Sequence, residues 1–254
     1  MAASPALQLV TFIRSKSSQM TAEAVQLNVG EGATARSRLA QLRTRLAGRL
    51  NLGLYAKITR YGLCRDLALP IEKPNAKIAI LVRPLENRDL SSLFRNDIAK
   101  NDLTERLEVA WRLAFIDKGA RRGFVAIDSR SETPCYVQWL FSSRDNDFIQ
   151  KLGGFPALEA HEALLENAYT PPSYRGLGIM SAAMALIAER ATEFGARHVL
   201  TFVGEQNIAS LKGCQRAGFH PHILHHRNSF CFGTIRRDRF EKLPDGDPRR
   251  TAKF

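Results

Sequence analysis

Between Ala163 and Val203 the chain passes from an apolar strand, through a glycine turn, into a long helical stretch and out to a second apolar strand. That order constrains the fold more than any other feature of the sequence. A strand–helix–strand unit this short sets its two strands in parallel, joined by a right-handed crossover. The spacing predicts a strand over Ala163–Thr170, a helix over Gly178–Phe194 and a strand over His198–Val203. Met180, Ala183, Met184, Ile187 and Ala191 share one face of that helix, and Gly195 lies just past its end. The turn itself, Arg175-Gly176-Leu177-Gly178-Ile179, opens directly into the helix. Glycines let the main chain approach a ligand closely, and the first helical N–H groups have no acceptor within the helix. The helix dipole adds a partial positive charge, which suits a pyrophosphate. A Gly-x-Gly also serves as a plain strand-to-helix turn, so the turn alone leaves both readings open.

The flanking segments fill in a mixed sheet. Ile78–Val82 reads as a strand, Asp89 can cap a short helix through Arg95, and Leu103–Lys118 carries helical periodicity. Gly123–Ile127 and Tyr136–Phe141 form a hairpin across a polar loop. Asn207 is a good cap for a helix running to Ala217. Phe219–Leu224 and Ser229–Ile235 read as a closing antiparallel pair, after which the charged, Pro-containing tail is expected to fray. The expected fold class is α/β in the α+β sense, a mixed and mostly antiparallel central sheet flanked by helices.

The N-terminal part reads differently. Residues 1–33 show little periodicity, with scarce acids and scattered basic and Ser residues, which suits a poorly ordered segment and also a transit peptide. From Arg36, Leu39, Leu42, Leu46, Leu50, Leu54, Ile58 and Tyr61 fall three or four apart, one face of a helix with basic residues on the rest. Residues 1–65 hold ten Lys/Arg against two acids, leaving 27 against 23 for the remainder of a chain whose net charge is +12. Residues 36–61 therefore suit either a helix packed on the rest of the chain or a basic amphipathic helix on an anionic membrane. No interleaved aromatics support a nucleic-acid partner. Two prolines bracket a polar stretch, Pro70–Asn75, which reads as a linker. The expected organisation is thus a basic N-terminal extension over 1–75, a folded domain over 76–240 and a flexible tail over 241–254. No apolar run approaches the ~20 residues that span a bilayer. The four cysteines lie far apart without a C-x-x-C pair, which fits a reducing, cytoplasmic setting and argues against a zinc site.

Two motifs together carry a resemblance. The first is Arg175-Gly176-Leu177-Gly178-Ile179-Met180, and the second is Asn207-Ile208-Ala209-Ser210 followed by Cys214 and Gly218-Phe219. They resemble the phosphate loop and second motif of the GNAT superfamily of acyl-CoA N-acyltransferases. The match is specific over 163–220 and weaker over about 76–240. Met180 stands where that loop usually has Gly or Ala, and Cys214 stands where an aromatic is usual. The resemblance implies acyl transfer, with acetyl-CoA or another acyl-CoA as co-substrate, no metal, and an amine acceptor left unidentified. The off-pattern Met180 and Cys214 keep open, as the alternative, a catalytically weak acyl-CoA-binding module that is regulatory or acts at a membrane surface. By the same resemblance Arg175, Gly176, Leu177, Gly178, Ile179 and Met180 hold the pyrophosphate. Ala168, Tyr169 and Thr170 pair with the pantetheine arm in a slot where the parallel strands splay, and Asn207 contacts that arm as well as capping its helix.

Acyl transfer to an amine needs a base for the ammonium proton and a proton or dipole for the departing thiolate. Glu166 is the candidate base, and strand alternation sets it on one face with Ala168 and Thr170. An exposed or arginine-paired glutamate is the competing reading, and Glu162 is the reserve. Cys214 can act as the acid, and is equally a small buried packing residue. His220, His222, His225 and His226 form a dense cluster that suits a surface, an acceptor-pocket wall or a metal site only if the side chains converge.

Overall fold

The computed structural model describes residues 54–95 and 103–254. They form an eight-stranded sheet in the order β2-β3-β4-β5-β6-β1-β7-β8, with five α-helices among the described residues. The strands are β1 (Tyr55–Asp66), β2 (Ile80–Pro84), β3 (Gly123–Asp128), β4 (Thr133–Ser142), β5 (Glu162–Tyr169), β6 (His198–Gly204), β7 (His220–Phe230) and β8 (Ile235–Lys242). The helices are α1 (Asn87–Arg95), α2 (Leu103–Asp117), α3 (Asn146–Leu152), α4 (Ile179–Glu189) and α5 (Ile208–Arg216). The chain divides into two compact units. The larger comprises the described residues 59–95, 121–226 and 238–254; the smaller takes in the described residues 54–58, 103–120 and 227–237.

The expected crossover is present. β5 and β6 run parallel, and β2 to β5 pair antiparallel in sequence. The parallel pairing covers only Glu162↔His198, Ala163↔Val199 and Leu164↔Leu200. Beyond Leu164 the two strands no longer pair, so a gap opens toward their C-terminal ends. On the other edge of this gap, β6 pairs antiparallel with β1 from Arg60↔Gly204 to Asp66↔His198. The core of the larger unit lies between the sheet and α4 and α5, where Leu63, Leu140, Leu165, Ile187, Leu211 and Phe219 are fully buried.

Four expectations are corrected. Residues 55–61 are not the end of an amphipathic helix but the first half of β1; residues 36–53 of that expected helix lie outside the described residues. The three-to-four spacing of Leu54, Ile58 and Tyr61 fits a helix, but the segment forms a strand between β6 and β7, pairing with β6 from Arg60 onward. The 70–75 segment is not a free linker. Ile71 packs 2.8 Å from where a Cβ on Gly218 would lie, and residues 59–75 belong to the larger unit. The closing strands are longer and later than expected, with β7 continuous to Phe230 and β8 built from the charged 235–242 segment. The tail, finally, is tied down. Gln215 accepts from the Phe254 N–H at 3.1 Å and donates to the Ala252 carbonyl at 2.5 Å, and the Phe254 ring lies 5.1 Å from Tyr61.

In the smaller unit, α2 buries Val109, Ala114 and Phe115. Tyr55 lies 5.3 Å from the Phe230 ring and donates its hydroxyl to Asn228 Oδ1 at 2.8 Å.

Candidate active site

The junction of β5 and α4 holds most of the expected site residues. Gly176 and Gly178 have φ of +78° and +74°, the left-handed region that non-glycine residues enter at a cost. Gly178 is the N-cap of α4, and the first intrahelical bond runs from the Ala182 N–H to its carbonyl at 3.3 Å. The N–H groups of Ile179, Met180 and Ser181 therefore precede any helical acceptor. A Cβ added at Gly176 would meet nothing within 4 Å, whereas one at Gly178 would lie 3.2 Å from the Asn75 carbonyl. Lys77 N–H donates to the Leu177 carbonyl at 2.8 Å, so the 75–77 segment backs the turn from behind. Arg175 folds its Nε back onto the Thr170 carbonyl at 3.0 Å, tying the turn to the end of β5. Glycine turn, open outer side and unmatched helix amides together fit a phosphate-bearing ligand.

Met180, off the loop pattern, has a local explanation. Its sulfur lies 3.2 Å from where a Cβ on Gly213 would be. The bulk gained at position 180 is accommodated by the absence of a side chain on α5. Asn207 caps α5, its Oδ1 accepting from the Ser210 N–H at 3.2 Å.

β5 carries a bulge that the sequence did not announce. Val137 pairs with Tyr169 and Trp139 with Glu166, so Asn167 and Ala168 stand opposite Gln138 alone. Asn167 takes φ +61°. Strict alternation from Glu166 to Ala168 and Thr170 therefore fails: the bulge resets the facing between them, and the expected shared face is not formed by that rule. Glu166 is half-buried, and its Oε2 accepts from the Asn167 N–H at 3.0 Å. Tyr169 is buried, its ring 5.6 Å from Phe94 of α1.

Cys214 lies in the core at 1% exposure, its thiol 3.8 Å from the Met184 sulfur. Burial, with the Glu166 carboxylate adding to it, pushes the thiol up to about 12. A thiol held that far above neutrality remains protonated and donates weakly, which favours the packing reading. Glu162, the reserve base, is at the opposite end of β5, paired with His198.

The histidines do not converge. His220 is exposed and His222 half-buried, while His225 is 1% exposed and stacks on Phe240 at 4.5 Å. Arg60 Nε donates to His225 Nδ1 at 2.9 Å, so Nε2 carries the proton toward Asp238 Oδ1 at 2.6 Å. Among the described residues there is no group of three or more metal-ligating side chains, and no helix long and apolar enough to cross a membrane.

Two features escaped the sequence reading. One is the bulge with Asn167, for which the available signal was an Asn inside an apolar strand, a residue depleted from strands and tolerant of positive φ. The other is the Arg60–His225–Asp238 chain, whose members lie far apart in sequence.

No curated protein matches the sequence. Among solved structures, a Drosophila protein aligns at 10% identity and TM-score 0.45, over 80% of this chain and 60% of its own length. A GCN5-related N-acetyltransferase from Sphaerobacter thermophilus aligns at 14% identity and TM-score 0.42, over 77% of this chain and 57% of its own. An acetyltransferase of the GNAT family from Colwellia psychrerythraea aligns at 16% and 0.41, over 90% and 73%. The chain thus spans about 60% of the length of the first two. A family model, that of the acetyltransferase (GNAT) family, matches residues 100–219, which include the whole β5–α4–β6–α5 unit. Over residues 100–219 the chain is thus similar to the acetyltransferase (GNAT) family.

Proposed function

We propose that this chain transfers an acyl group, acetyl in the first instance, from acyl-CoA to an amine. The observation that carries this reading is the glycine turn at the N-terminus of α4, set directly after a strand that parts from its parallel neighbour. The co-substrate supplies an activated acyl group as a thioester. Everything else falls to the protein. The main-chain amides of Ile179 and Met180, with the left-handed turn at Gly176 and Gly178, hold the pyrophosphate. Arg175 fixes the turn against Thr170. Ala168, Tyr169 and Thr170, beyond the last paired residues of β5 and β6, receive the pantetheine arm, and Asn207 contacts it while capping α5. Glu166, its carboxylate anchored by the Asn167 N–H, accepts the ammonium proton from the acceptor, directly or through water. Cys214 packs the core behind the site.

Gly176 is the position that tests the cofactor assignment with least disturbance. A side chain there enters open space, and Asp tolerates positive φ better than most residues. Gly176→Asp adds a negative charge at the pyrophosphate site. Calorimetric titration with coenzyme A is expected to show at least about a tenfold loss of affinity, since tenfold is only about 1.4 kcal/mol. An unchanged dissociation constant in the folded variant contradicts the assignment. Gly178→Asp is a poorer test, because its Cβ presses on the Asn75 carbonyl as well.

A further inference from the structure

The turn between β7 and β8 is built from residues its geometry does not favour. Cys231, Phe232 and Gly233 take successive φ values of +49°, +59° and +75°. The Thr234 N–H donates to the Cys231 carbonyl at 3.2 Å, so Phe232 and Gly233 are the central pair of the turn. Positive φ at both central positions favours Asn-Gly or Asp-Gly, and a bulky aromatic there is an outlier. Burial does not hold the ring in place, because Phe232 is 37% exposed. A strained residue that gains no burial from its strain points to a use outside the fold.

The turn has apolar company. The Cys231 N–H donates to the Leu54 carbonyl at 3.0 Å, and Tyr55 lies against Phe230. The entry to β1 is therefore beside the turn. Leu54 is 74% exposed, Tyr55 55% and Ile235 51%. With Phe232 they make four of the eight large apolar side chains exposed among the described residues. Single exposed apolar residues need no explanation, but apolar groups gathered at one place mark an interaction surface. The charges there have one sign. Residues 54–58 and 227–237 carry Lys57, Arg227, Arg236 and Arg237, and no acid.

Cations and apolar side chains together select the partner. A second copy of the chain would set these cations against one another. A nucleic acid would engage the cations but leave Leu54 and Ile235 in water, since an aliphatic side chain offers no face on which a base stacks. An anionic lipid surface uses both kinds of group. Apolar side chains enter the acyl boundary while Lys and Arg stay at the headgroups, drawn by the negative surface potential. We propose that the β7–β8 turn and the entry to β1 dock on an anionic membrane surface, with Leu54, Phe232 and Ile235 entering it and Lys57 and Arg237 meeting the headgroups. The docking surface is a strand entry and a hairpin turn, not the amphipathic helix expected over 36–61, and it includes none of the residues assigned to acyl-CoA.

The test is co-sedimentation of the full chain with vesicles, made either of phosphatidylcholine alone or of an equimolar mixture with phosphatidylserine. Wild type is expected to bind the mixed vesicles, more weakly as salt rises, and to leave the neutral ones. Phe232→Asn puts at the turn a residue suited to positive φ, so its Tm is expected to match or exceed that of wild type. Its affinity for mixed vesicles is nonetheless expected to fall at least about tenfold, from the loss of a buried aromatic ring. Lys57→Glu combined with Arg237→Glu is expected to lose at least about tenfold as well. Leu69→Ser removes a leucine 62% exposed elsewhere and is expected to bind as wild type does. Wild type that ignores the mixed vesicles overturns the proposal, as does binding that both turn variants leave unchanged. Two other outcomes also overturn it. If Phe232→Asn abolishes self-association in sedimentation velocity and leaves vesicle binding intact, the turn is an interface between copies. If the turn variants lose affinity for a single-stranded oligonucleotide and keep it for vesicles, the partner is a nucleic acid.

Discussion

At the scale of single residues, the departures from the family's motifs are the informative positions. Met180 is compensated by Gly213 and leaves the helix amides in place. Cys214 is withdrawn into the core, where its thiol is pushed up to about 12 by burial, as is that of Cys135. These shifts have a consequence for stability. An exposed thiol in the unfolded chain titrates near 8.5, while the folded chain keeps its proton to about 12. A raised folded pKa means that the contribution is complete below about pH 8.5 and is lost as the pH climbs toward 12. Urea midpoints measured between pH 7.5 and 10.5 are therefore expected to fall across the alkaline limb, and less steeply in Cys214→Ala. A wild-type midpoint that stays flat over this range contradicts the burial of the two thiols.

At the scale of elements, β1 changes the account of the N-terminal region most. Leu63 is fully buried, and Arg65 reaches from β1 to α4, donating to the Ala185 carbonyl at 3.0 Å and pairing with Glu189 at 3.4 Å. Leu63→Ala is expected to cost about 2–5 kcal/mol in urea unfolding, the usual penalty for a core leucine. A cost under about 0.5 kcal/mol, typical of a surface position, would return this segment to the periphery. The contrast in legibility follows from where the determining interactions lie. The β5–α4–β6–α5 run was readable because its apolar periodicities are long and its turn residues local: Gly176 and Gly178 take the positive φ expected of them, and Asn207 caps as its type predicts. β1 was not readable, because Leu54, Ile58 and Tyr61 satisfy a helical period and only its place between the distant strands β6 and β7 overrides it. β8 was hidden by its charge. IRRDRFEK looks like tail, yet it is an edge strand, where charged side chains discourage further pairing. α3, seven residues long, offered too short a period to detect. The bulge at Asn167 depends on a register offset against β4 that no local pattern encodes.

At the scale of the whole molecule, the sheet brings a glycine turn at a helix N-terminus, a gap between parallel strands and an anchored carboxylate to the C-terminal end of β5. That convergence is the basis for reading the chain as an N-acyltransferase, and it makes a claim about turnover as well as binding. The direct measurement is free thiol release from acetyl-CoA in the presence of a panel of amines, with wild type, Glu166→Gln and Cys214→Ala compared at neutral pH. General base catalysis contributes roughly 10²–10⁴-fold, so Glu166→Gln is expected to lose at least about a hundredfold in amine-dependent rate while Cys214→Ala loses far less. Thiol release that no amine stimulates, in a wild-type protein that nonetheless binds coenzyme A, contradicts the transferase reading and leaves an acyl-CoA-binding domain in its place.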